Sequence, residues 1–258
     1  DEPAPDDSGI CLEAAGNETE SLQVVLRAEG ANLILTNPDI ALAQGADSPE
    51  GRYAALFRAF REQKYLEVIT GSEAAIKQLP GDPLVPKLEL LKANAIGRLQ
   101  GYEDFREALN YLALNYPNTS EGRQAQQIVE QQLPQMESRE FTNTLSAPGT
   151  QNWKVVFPFK RHQEKQALKL VERLEKSIAD LRYANRVSRD IYNLEDQFVV
   201  VHGFRSRDFA LGYVELLKNN KDYRIDNENF VILSSNYKVV QIHKNLNEYL
   251  AEVQPPKP

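Results

Sequence analysis

The chain has 258 residues, 41% hydrophobic and 26% charged, with a formal net charge of −7. That length allows one large or two ordinary domains whose core needs no covalent staples. The single cysteine, Cys11, excludes an intrachain disulfide but not an oxidising compartment. No stretch approaches the roughly 20 apolar residues of a membrane helix.

The charge is uneven. Residues 1–151 carry 12 Lys+Arg against 23 Asp+Glu, and residues 152–258 carry 18 against 14, so the halves stand at −11 and +4. A boundary near 150 follows. No Lys/Arg cluster alternates with aromatics, which argues against nucleic-acid binding. The opening DEPAPDDSGI lacks the basic and apolar regions of a signal peptide and reads as a mature end or a cut from a longer chain. Without an apolar run before it, Cys11 reads as an ordinary thiol.

Residues 1–20 hold seven acids and no bases and are expected to be a disordered acidic lead-in. Leu22–Ala28 has a short helical pattern. Ala31–Leu35 is apolar, with helix favoured over strand but not decided. Ser48 and Pro49 mark an N-cap and first helical position, and Tyr53, Leu56, Phe57 and Phe60 then share a face. Further helices are expected over Tyr65–Leu79, Pro86–Leu99, Asp104–Asn115 and from Thr119 or Ser120 to Leu133. Short turns between them make antiparallel neighbours.

The second and fourth of these helices answer to each other. Tyr65, Val68, Ile69, Ala75 and Pro80 correspond to Phe105, Ala108, Leu109, Leu112 and Pro117. Small residues let helices approach while an aromatic fills the gap beside them. This is similar to the tetratricopeptide (TPR) pattern, although the aromatic-to-aromatic period is 40 residues where about 34 is usual. A general helical hairpin bundle is the other reading. Residues 21–133 are thus expected to form a TPR-like helical domain, and the polar stretch 134–151 a linker.

Residues 152–253 read as strand, helix, strand, strand, helix, strand, the ferredoxin-like βαββαβ order. The strands are Asn152–Phe157, a weaker one near Arg186–Tyr192, Phe198–Val201 and Phe230–Leu233. The last two are expected to pair side by side. The helices are Gln163–Leu181 and a segment started by Ser206 and Asp208, whose Phe209, Tyr213, Leu216 and Leu217 press on the sheet. Tyr237–Gln241 is ambiguous, Asn245–Val253 reads as a short helix, and 254–258 as an unfolded tail. The fold class is therefore α+β, a helical array followed by a sheet unit.

Chemistry is hard to find. His162, His202 and His243 have no chelating spacing, one cysteine builds no zinc knuckle, and no nucleophile elbow or phosphate loop occurs. His202 reads as bonded to backbone at a strand end, and His162 and His243 as surface residues. No catalytic, metal or cofactor residue is assigned, and an enzyme is not expected. Binding surfaces remain. Tyr53, Phe57, Tyr102 and Tyr111 are candidates for a groove in the array, with core filling as the alternative duty for most. Asn236, Tyr237, Lys238 and Lys244 are candidates in the polar, aromatic and basic stretch after the last strand.

Two segments together carry a family resemblance. One is FVVVHGF with SRDFALGYVELL, followed by FVILSSNYKVVQIHKNLNEYL. The other is LPGDPLVPKLELLKANAIGRLQGYEDFREALNYLALNYPNTSEG. Their combination resembles the C-terminal part of the large periplasmic TPR lipoproteins of Bacteroidetes, of the gliding-motility and type IX secretion kind (SprE/PorW-like). The resemblance implies an outer-membrane-associated scaffold in the periplasm, held by a lipid anchor upstream of this chain, with protein partners in a secretion or motility complex. The Phe198–Phe204 strand, with Ser206 and Ala210 behind it, also resembles peptidoglycan-binding SPOR domains, the alternative function. There the motif opens the domain and carries a glutamine absent here.

Overall fold

The computed structural model describes residues 48–142 and 152–253. The acidic lead-in, Leu22–Ala28, Ala31–Leu35, Cys11 and the tail lie outside them.

The first lobe is helical: α1 (Pro49–Arg61), α2 (Tyr65–Gln78), α3 (Val85–Leu99), α4 (Tyr102–Asn115), α5 (Ser120–Gln127) and α6 (Leu133–Met136). Caps set the boundaries. Ser48 Oγ accepts the Gly51 N–H at 3.0 Å, and Thr119 Oγ1 accepts that of Gly122 at 3.0 Å. Between α5 and α6 the chain takes a π turn over Ile128–Gln132. Pro134 follows, whose ring conflicts with the carbonyl four residues back; a wider turn relieves that conflict. The start of the expected linker is therefore helical to Met136.

Consecutive helices pack as antiparallel neighbours. Phe105 of α4, 1% exposed, lies against Gly97 of α3, where an added Cβ would stand 2.8 Å from the ring. Helix α3 is enclosed along most of its length, from Val85 to Leu99.

The second lobe contains a four-stranded antiparallel sheet of order β2-β3-β1-β4. Its elements are β1 (Trp153–Lys160), α7 (Glu164–Leu181), β2 (Arg186–Ile191), β3 (Asp196–Phe204), α8 (Arg207–Asn219) and β4 (Phe230–Leu233). The expected pairing of Phe198–Val201 beside Phe230–Leu233 is corrected: β1 lies between them, with Val155 opposite both Val201 and Val231. Both strands run antiparallel to β1, so they are parallel to each other, and the helix connecting them spans the intervening strand. Pro158 sits in β1 beyond the last residue paired with β4, where its missing N–H costs little.

Period-two alternation sorts the side chains into two layers. Val155, Phe157, Val199 and Val201 face α7 and α8, meeting Leu170, Leu174, Tyr213 and Leu217. Phe209 does not join them; it is 50% exposed beneath the Arg205 guanidinium, and Ala210 takes the inward position. Val156, Phe198, Val200 and Ile232 face the other way. Two further helices cover that face: α9 (Ser234–His243), which resolves the ambiguous stretch as helix, and α10 (Leu246–Val253).

The lobes share cores. Ile242 of α9 enters the cluster of Leu90, Tyr102, Phe105 and Leu109, while Ile191 of β2 enters that of Tyr65, Val68 and Leu91. Phe141, in the expected linker, packs edge-on against Tyr249 at 5.1 Å, and Asn236 exchanges two hydrogen bonds with the Thr142 backbone.

Candidate functional site

The concentration of buried polar groups lies where the helical lobe meets the sheet. It is built on the face of β1, β2 and β3 that α9 covers. Lys154, Ser188, Asp190 and His202 occupy alternate positions there, and Tyr237 and Gln241 descend from α9 one turn apart.

Two hydrogen-bond chains converge on the Asp190 carboxylate. In one, Ser188 Oγ donates to Oδ1 at 2.9 Å and lies 2.7 Å from His202 Nε2, while Lys154 Nζ lies 3.2 Å from Nδ1. Ser188 spends its single proton on Asp190, so the network assigns the proton of that contact to Nε2 and leaves Nδ1 to accept from Lys154. In the other, Lys244 Nζ donates to Gln241 Oε1 at 3.4 Å, Gln241 Nε2 to the Tyr237 hydroxyl at 2.9 Å, and Tyr237 to Asp190 Oδ2 at 2.6 Å. The lysines at the heads of both chains also meet aromatic faces, Lys154 that of Tyr237 at 5.0 Å and Lys244 that of Tyr192 at 5.3 Å.

Lys244 closes α9 in the left-handed conformation, with φ 56°, and its ammonium is the enclosed end of a partly exposed side chain. It donates to the Arg98 carbonyl of α3 at 2.9 Å. Burial, and then the nearby Arg98 guanidinium, push its pKa down to about 7 against the opposing pull of Asp190. Burial also lowers Arg98, with Tyr65 and Asp190 acting the other way. Arg98 and Lys244 thus both lie within electrostatic reach of the one carboxylate. Gly101 makes the approach possible. It holds φ 103° and ψ −161°, and an added Cβ would fall 2.8 Å from the Ile242 carbonyl oxygen.

A second contact fastens the lobes at the edge of the sheet. Gln63, at φ 60° in the α1–α2 turn, donates from Nε2 to the Arg189 carbonyl at 3.0 Å and accepts the Ile191 N–H on Oε1 at 3.2 Å. Nearby, the Tyr192 hydroxyl accepts the Leu246 N–H at 3.0 Å, and burial raises its pKa to about 12.

The candidate residues drawn from the sequence divide. Tyr237, Asn236 and Lys244 come together at the junction, the first two 3% and 0% exposed and committed to internal bonds. They lie under α9 because its period places them, with Val240, toward the sheet. Lys238 points to solvent. Tyr102 is core: 6% exposed, it donates to the Leu133 carbonyl at 3.3 Å and lies 5.3 Å from the His243 ring. Tyr53 and Phe57 are half-buried and stack on each other at 6.3 Å. Burial first, then Glu121, raises Tyr53 to about 12. Tyr111 is 49% exposed on α4, beside Leu114 at 80%.

The histidine readings need correction. His202 bonds to side chains through its ring, and His243 is half-buried with Nε2 2.9 Å from the Met136 carbonyl oxygen. His162 is exposed as expected. Gln63, Arg98, Lys154, Asp190 and Gln241 escaped sequence reasoning. Lys154 left one trace, a lysine inside the apolar run Trp153–Phe157.

The arrangement differs from a Ser–His nucleophile pair, in which the imidazole nitrogen accepts the hydroxyl proton. In the tautomer that the Ser188–Asp190 bond assigns, that nitrogen donates. Among the described residues no group of three or more His, Cys, Asp or Glu side chains is placed to hold a metal ion, and no helix is long and apolar enough to cross a membrane.

The chain is thus an α+β protein, a helical lobe joined through a buried polar junction to a four-stranded antiparallel sheet. No protein-family model, curated protein or solved structure matches it.

Proposed function

We propose that this chain is a non-enzymatic scaffold acting by protein–protein interaction in type IX secretion and gliding motility, in the bacterial periplasm and associated with the outer membrane through a lipid anchor upstream. In this reading the helical lobe is a TPR-like array. The Phe105–Gly97 contact supports it, a small residue and an aromatic together setting the helix spacing. The sheet unit is ferredoxin-like. Its strand order and its two helical crossovers on one face are those of a split βαβ arrangement.

The observation that carries the scaffold reading is the Asp190 junction. The polar side chains best placed for chemistry are committed to one another beneath α9, and Lys244 ties that network to α3, which leaves outer surfaces to act. A rigid two-lobed body presents its surfaces at fixed spacing, and that suits an adaptor. The secretion and motility setting rests on the resemblance of the two segments named above.

Capture with a tagged full-length protein, crosslinked in the envelope of the cell that makes it, tests this. Secretion or motility components are the expected partners; their absence from the captured set sinks the proposal. Sedimentation with purified peptidoglycan sacculi separates the glycan-binding alternative. Both faces of this sheet are covered by helices, so a glycan lying across it would have to displace one of those layers.

A further inference from the structure

We propose that the outer edge of β2 docks an extended segment of a partner protein, acidic at alternate positions, which adds to the sheet as one more strand. This rests on the edge itself and not on the periplasmic reading.

Strand β2 is terminal in the sheet order, and only β3 pairs with it. The Gln63 bonds to Arg189 C=O and Ile191 N–H identify the odd-numbered residues as those whose backbone groups point outward. By the same alternation the Val187 N–H and C=O and the Arg189 N–H also point outward. Among the described residues none of these three has a hydrogen-bond partner. The edge is therefore closed by a side-chain amide at its Ile191 end and open toward Arg186. It already accepts amide groups of the kind a strand supplies.

Beside the open part lies a platform. The Arg189 guanidinium turns onto α7, where Glu164 accepts from it at 2.6 Å. One helical turn on, Leu168 is 45% exposed, and Val187, on the same strand face as Arg189, is half-buried. The alternate side chains of an added strand that face α7 are the acidic ones, glutamates whose methylene groups would lie over this apolar ground. Exposed cations flank it: Lys165 and Lys169 on α7, and Arg182 in the turn before β2. With Glu164 committed to Arg189, the surroundings favour carboxylates on the incoming strand.

The test uses the whole protein and an acetylated, amidated peptide of three Glu-Val repeats, read by amide hydrogen exchange and by titration. The peptide is expected to slow exchange at Val187 and Arg189 by about tenfold or more, the effect of two or so new backbone bonds. The same peptide N-methylated at alternate residues, and one with Lys for Glu, should each bind at least about tenfold more weakly. Val187→Pro removes an outward donor at a position where an edge strand tolerates proline, and should abolish binding with an unchanged far-ultraviolet spectrum. Gln63→Ala exposes two more bonding groups and should tighten it. Unchanged exchange at millimolar peptide, or equal binding by the N-methylated peptide, overturns the proposal. Protection of Val187 that appears only as the protein self-associates assigns the edge to a second copy and overturns the choice of partner.

Discussion

The ammonium of Lys244 donates to the backbone carbonyl of Arg98 at 2.9 Å, joining residues 146 apart in the chain. A lysine at a helix C-terminus ordinarily reaches solvent. Here the α9 terminus is pressed against α3, and Gly101 lets it come close. The charge that caps α9 is consequently caught between two lobes.

This placement has a signature in pH. The Lys244 pKa falls from 10.5 in the free side chain to about 7 in the fold, so between those two pH values folding expels its proton. The unfolded chain binds the proton more tightly, and the contribution of this group to stability therefore rises as pH climbs from about 7 toward 10.5 and is flat below. Urea unfolding from pH 6 to 10 should show the wild type gaining on Lys244→Met above pH 7, at a slope approaching about 1.4 kcal/mol per pH unit. Parallel curves for the two proteins would contradict the assignment.

Asp190 is the acceptor on which both buried chains end. Asp190→Asn removes the negative charge that faces Lys244 and Arg98, and leaves the enclosed Arg98 guanidinium poorly compensated. A loss of about 3–5 kcal/mol in unfolding free energy is expected. Tyr237→Phe deletes one hydroxyl that both donates and accepts, and should cost about 1–3 kcal/mol. An Asp190→Asn protein as stable as wild type would mean that the network contributes little.

Two glycines should respond in opposite ways to alanine. Gly101 holds a backbone conformation that side chains resist and stands against the Ile242 carbonyl, so Gly101→Ala should lose more than about 1–3 kcal/mol and loosen α9, read as faster amide exchange near Ile242. Gly212 lies within α8 with open space beside it, and Gly212→Ala should gain about 0.5–1 kcal/mol. Equal effects at both sites would refute the close-approach argument.

Phe105 and Tyr111 share a helix but not a fate. Phe105→Ala empties the space over Gly97 and should cost about 3–5 kcal/mol. Tyr111→Ala should change stability by no more than about 0.5 kcal/mol, because the ring is half in solvent. Thermal or chemical unfolding of the pair distinguishes a core aromatic from a surface one.

Much of this architecture is local and was readable. Ser48 and Pro49 start a helix through groups within a few residues of each other, and Ser206 starts α8 the same way, its Oγ accepting the Phe209 N–H at 3.2 Å. The apolar runs at Phe198–Val201 and Phe230–Leu233 became strands because continuous β-branched runs suit sheets buried on both faces. Their adjacency was misjudged, since strand order depends on which connection crosses which face. Phe209 was misplaced because a helical pattern gives the period of an apolar stripe and leaves its phase uncertain by one residue.

The candidate site was almost wholly illegible. Asn236, Tyr237 and Lys244 stand out in the sequence for their chemistry, and polarity, which ordinarily means exposure, points them to the surface. Asn236, Tyr237 and the ammonium of Lys244 are enclosed since their partners, Thr142, Asp190 and the Arg98 carbonyl, arrive from far along the chain. Gln63 gave no signal, as nothing in a helix turn announces that a strand edge will fall beneath it.

Period, capping and composition act over a few residues, and so the sequence alone determined helices, strands and the α+β class. Strand order, the covering of the second sheet face and the charged junction were decided only in the tertiary structure. They depend on which distant groups meet, and a buried charge is stable or ruinous according to that meeting alone.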